Sequence, residues 1–76
     1  MTHTSLIKKL NDYIRQEYPR IVSINEVYRI ADSMNRKRSN AERRLRPSES
    51  PRIQTIKHAK KGYIIGYRWI PYDRLF

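Results

Sequence analysis

The sequence predicts an α+β domain: three helices, one short strand and a C-terminal β-hairpin forming a small antiparallel sheet. Two patterns carry the prediction. Apolar residues recur at helical spacing through the first half of the chain, and the spacing changes to alternation after residue 52. Ser-x-x-Glu, a pattern that marks helix starts, occurs at Ser23 and Ser39 and at none of the other serines or threonines.

In "SLIKKLNDYIRQEYP", Leu6, Ile7, Leu10, Tyr13 and Ile14 share a face, while Lys8, Lys9, Asp12 and Arg15 fall elsewhere. Thr4 or Ser5 supplies a cap, and Pro19 forces an end near Tyr18. "RIVSI" is too short and β-branched for a helix, so a strand is expected near residues 20–22. "SINEVYRIADSM" opens with the Ser23–Glu26 capping box. It aligns Ile24, Val27, Tyr28, Ala31 and Met34, predicting a helix from Ile24 to Ser33 or Met34.

The same box at Ser39 and Glu42 predicts a third, two-turn helix from Asn40 to about Arg46, which Pro47 cannot continue. With Ala41 and Leu45 inward, Arg43 points outward, flanked by Asn40 and Arg46, with Arg44 at the side. Beyond "PSESP", Ile53, Thr55 and Lys57 alternate with Gln54 and Ile56. Tyr63, Ile65, Tyr67 and Trp69 alternate with Ile64, Gly66, Arg68 and Ile70. Two strands follow, joined through "KHAKKG", with Gly62 suited to positive φ. Most of Ile56, Tyr63, Ile65, Tyr67 and Trp69 are expected in the core rather than as a stacking platform, with one face of Tyr63 or Tyr67 left open. The tail "PYDRLF" is expected to fold back over the sheet or helices.

Seventy-six residues make one domain with one core. No cysteine is present, so neither disulfides nor a thiolate metal site can hold it together. No apolar run suits a signal peptide or a membrane span, and a cytoplasmic, nucleoid-associated location is the expectation. His3 and His58 lack carboxylate partners at ligand spacing, so no metal is expected. No acid/base pair or nucleophile constellation stands out, and an enzyme or a cofactor is not expected.

Charge gives the functional direction. The net charge is +10, and residues 36–62 hold ten basic groups against Glu42 and Glu49, a net +8. Each flank contributes only +1. A localised block of this kind is an electrostatic footprint for a polyanion.

The order of elements, with "SINEVYRIADSM", "SNAERRLR" and "KHAKKGYIIGYRW" in sequence, resembles the winged-helix branch of helix-turn-helix proteins over roughly residues 4–70. It is similar to small bacterial and phage domains of that kind. The resemblance implies a three-helix winged helix-turn-helix that binds double-stranded DNA without a cofactor, as a transcriptional regulator or accessory factor. It implies that Asn40, Arg43, Arg44 and Arg46 face the major groove, where arginine suits guanine edges or phosphate and asparagine suits adenine. Lys57, His58, Lys60 and Lys61 would track flanking phosphates or the minor groove. Arg36, Lys37, Arg38 and Ser39 would meet phosphates near the third helix's start, and Arg52 belongs to the same basic surface. A protein-binding winged helix taking an acidic partner, and an RNA binder using the same face, remain as alternatives. No heptad seam supports a coiled-coil dimer, although the first helix or the tail could pair two copies as a homodimer.

Overall fold

The computed structural model describes residues 5–71 and holds three helices and three strands in one α+β unit. The elements run α1 (Leu6–Gln16), β1 (Val22–Ser23), α2 (Ile24–Ser33), α3 (Arg38–Arg44), β2 (Ile53–Lys57) and β3 (Ile64–Trp69). Both strand pairings are antiparallel and the sheet order is β1-β3-β2, with the last strand in the centre. His3, Thr4 and the tail beyond Pro71 lie outside the described residues.

The apolar face of α1 does as its spacing predicts: Leu6, Leu10 and Ile14 are buried. The Ser5 Oγ accepts from the Lys8 amide, and the helix ends at Gln16, two residues before Tyr18. The capping box of α2 is complete. Ser23 Oγ accepts from the Glu26 amide, and the Glu26 carboxylate accepts from the Ser23 amide. Because Ser23 is also the last residue of β1, strand and helix meet without a linker.

A left-handed residue closes α2. Asn35 has φ 55°, the Arg36 amide donates to the Ala31 carbonyl, and the Asn35 amide donates to the Asp32 carbonyl. Two carbonyls left over at the helix end are thereby satisfied, and asparagine tolerates this conformation better than most residues. The chain then turns directly into α3.

The start of α3 departs from the expectation. The helix spans Arg38–Arg44 rather than Asn40 to Arg46, Lys37 stands at its N-cap, and no side chain caps it. Ser39 is exposed within the first turn. Glu42 is not in a capping box; its Oε1 accepts from the Tyr28 hydroxyl at 2.6 Å. A tertiary partner on α2 outcompeted the local one. The inward pair is as expected, with Ala41 and Leu45 fully buried and Arg43 exposed. A buried serine sets where α3 ends: Ser50 Oγ donates to the Arg44 carbonyl at 2.6 Å and accepts from Asn11 of α1 at 3.0 Å.

The hairpin carries the second correction. Ile56 pairs with Gly66 but Lys57 pairs with Ile64, so Ile65 is an extra residue on β3. This bulge reverses the facing of everything on its tip side. Tyr67 is 1% exposed and Ile64 packs against the core, whereas Tyr63 is the open tyrosine at 54% and Ile65, expected inside, is 39% exposed. Gly66 permits the close approach of β1. A Cβ there would lie 2.5 Å from the Val22 carbonyl oxygen. Trp69 is only half-buried, with the guanidinium of Arg52 at 5.1 Å from its ring and that of Arg15 at 5.8 Å.

Candidate nucleic-acid interface

The basic residues singled out in the sequence divide into two groups. The first is engaged within the fold. Arg38 donates from Nη2 to Asp32 Oδ2 at 2.9 Å and lies 5.0 Å above the Tyr28 ring, which ties the start of α3 to α2. The guanidinium holds the Asp32 carboxyl below its ordinary range. Arg52 donates from Nε to the Ile70 carbonyl at 2.9 Å and covers Trp69, clamping the two ends of the hairpin together. Arg44 faces Glu49 at 3.8 Å, with both side chains about half exposed. An ion pair of that kind is worth little.

The second group is free. Arg36, Lys37, Arg43, Arg46, Lys57, Lys60 and Lys61 are exposed and form no ion pair among the described residues. Both acids of the central block are turned elsewhere, Glu42 toward Tyr28 and Glu49 toward Arg44. The unneutralised charge is therefore concentrated on the turn before α3, the outer side of α3 and the hairpin.

Two of these pieces meet at one place, Arg46 just past α3 and Lys57 of the hairpin. A cleft of about 410 Å³ opens between the end of α3 and the sheet, lined by Glu42, Leu45, Arg46, Pro47, Thr55, Lys57, Ile64 and Tyr67. Arg46 and Lys57 thus border one concavity, with apolar walls that exclude some of the water screening their charge. Asn40 is half-buried on α3 and Ser39 is exposed beside Lys37. The Tyr67 hydroxyl is buried near Glu42 and Tyr28 with no hydrogen-bond partner among the described residues, and burial pushes its pKa up to about 12.

His58 has an architectural place. Its Nδ1 accepts from the amides of Lys60 and Lys61 at 3.2 and 3.1 Å, folding the loop around the ring. Gly62 has φ 77°, as the turn requires. Sequence reasoning left one face of Tyr63 or Tyr67 open, and it is Tyr63 that is exposed; the surface residue it missed is Ile65. The available signal was Gly66, since a glycine inside a strand commonly marks a bulge or close backbone approach.

Among the described residues no cluster of His, Asp or Glu is arranged to hold a metal, and no helix is long and apolar enough to cross a membrane. No family model matches the chain, and neither the curated proteins nor the solved structures yield a match.

Proposed function

We propose that the protein is a winged-helix domain that binds double-stranded DNA, with α3 in the major groove and the β2–β3 hairpin on the flanking backbone, serving as a transcriptional regulator or accessory factor. The order α1-β1-α2-α3-β2-β3 with sheet order β1-β3-β2 supports this reading, since it is the layout of that architecture. The observation that carries the function is that Arg46, just past α3, and Lys57 of the hairpin border one and the same cleft. Two cations on different elements, neither paired with an acid, flank a space suited to a backbone phosphate at its rim; Glu42, which also lines the cleft, is engaged by the Tyr28 hydroxyl. Arg43, projecting from α3 opposite Ala41, then reaches base edges, while Lys60 and Lys61 extend the contact along the backbone.

Selection from a random duplex library, followed by footprinting, tests this. Arg43→Ala is expected to cost about 1–3 kcal/mol at one base pair and to relax preference there, whereas Lys60→Ala weakens all sequences alike. Identical effects of both changes on every probe would reduce α3 to a charge contact. Stronger enrichment of RNA, or retention of an acidic protein with no discrete footprint on any duplex, would favour the alternatives and end the DNA reading.

A further inference from the structure

The hairpin tip presents an aromatic surface that duplex binding does not use. The loop is closed by the His58 amide donating to the Tyr63 carbonyl at 2.8 Å and the Gly62 amide donating to the His58 carbonyl at 3.0 Å. His58 is held further by the two lysine amides on its Nδ1. Tyr63 stacks on that pinned imidazole, with ring centroids 5.0 Å apart and an interplanar angle of 27°. One face of the tyrosine is covered and the ring is oriented, yet the residue remains 54% exposed, more than Tyr18, Ile21 or Ile65. Lys57, Lys60 and Lys61 lie close to it in the chain, all exposed and without acid partners among the described residues.

A preoriented aromatic plane among cations suits a nucleobase with a free face and phosphates alongside. Bases inside B-form DNA offer only their edges, because stacking neighbours cover their faces. A base at a fray or at the start of a single-stranded tail has the face that Tyr63 needs. We infer that the wing tip is a stacking site for an unpaired DNA base beside the duplex, so that duplexes ending in a single-stranded tail are preferred to blunt ones. The inference rests on the duplex reading of α3, and the experiment separates the two.

Binding of the full chain is measured by fluorescence anisotropy to one duplex in blunt form and with a short oligothymidine tail. In the tailed form, 2-aminopurine stands as the first unpaired base. The tailed duplex is expected to bind about tenfold more tightly, equivalent to about 1.4 kcal/mol, with the 2-aminopurine emission quenched. Tyr63→Ala abolishes the preference and the quenching while leaving blunt-duplex affinity and far-UV circular dichroism unchanged. Tyr63→Phe keeps both, because the stack needs the ring and not the hydroxyl. Equal affinity of the wild-type chain for blunt and tailed DNA overturns the stacking site and leaves the duplex reading standing. Equal losses on both DNAs from Tyr63→Ala overturn it too, by making the residue a structural part of the hairpin. Binding to neither DNA overturns the duplex reading and the stacking site together.

Discussion

Removing the Tyr28 hydroxyl tests how α3 is held. Seven residues are too few to form a stable helix alone, so its position depends on tertiary ties. Ala41 and Leu45 are buried beneath it, Ser50 holds the Arg44 carbonyl, and Tyr28 donates to Glu42 at 2.6 Å. That bond, followed by burial, raises the Tyr28 pKa, since a phenolate there would face the Glu42 carboxylate. A hydrogen bond to a charged group contributes about 1.5–3 kcal/mol. Glu42 is half-buried and retains access to water, which puts Tyr28→Phe at the lower end, about 1.5 kcal/mol. For a domain of this size that lowers Tm by about 6–12 °C. The ring beneath Arg38 survives the change, so the effect isolates the hydroxyl. Ser39→Ala, on an exposed residue that caps nothing, is expected to cost less than about 0.5 kcal/mol. Urea unfolding followed by Trp69 fluorescence reads both, and a double-mutant cycle of Tyr28→Phe with Glu42→Gln should give a coupling near 1 kcal/mol. A cost of about 1 kcal/mol or more for Ser39→Ala, with Tyr28→Phe neutral, would show that Glu42 serves the local cap after all and refute the account of α3.

Three further outcomes are expected. Gly66→Ala puts a Cβ 2.5 Å from the Val22 carbonyl and 2.8 Å from Ile21 Cγ2, so β1 must shift, at about 3 kcal/mol, and thermal unfolding should register the loss. Gly62→Ala meets no neighbour within 4 Å and costs only the strain of its positive φ, about 1–2 kcal/mol. Acid should destabilise the fold through Glu26, whose pKa is lowered from 4.5 to about 2, first by Arg20 and then by the Ser23 amide and Tyr13 hydroxyl. A depressed carboxyl contributes its full stability above 4.5 and loses it as pH falls toward 2. The ceiling is about 3 kcal/mol, and solvent screening leaves about 1.5. Glu26→Gln should flatten the slope of stability against pH across that window.

Much of the fold was legible because local signals agreed with tertiary demands. The caps at Ser5 and Ser23, the α1 stripe through Leu10 and Ile14, and the Ala41–Leu45 pair each served one purpose in sequence and structure. The misreadings arose where one residue had two possible partners. Glu42 fits a local cap or a distant phenol, and only the packing of α2 on α3 decides between them. Alternation through Tyr63, Ile65 and Tyr67 suggested one continuous face until the bulge at Ile65 turned the tip outward. The basic surface was visible as a charge block, but a count of charges does not reveal neutralisation. Arg38 is committed to Asp32 and Arg52 to the Ile70 carbonyl and Trp69, which leaves the free basic surface narrower than the block.

The central claim, that α3 and the hairpin form one DNA-contacting face, is tested most directly by titrating a selected duplex into isotopically labelled protein and following backbone amide shifts. Shift changes should concentrate at residues 36–46 and 57–61 and weaken together as salt rises, with a log–log affinity slope near −5 for about six phosphates. Changes centred instead on Tyr18, Ile21 and Gln54, or affinity indifferent to salt, would contradict it.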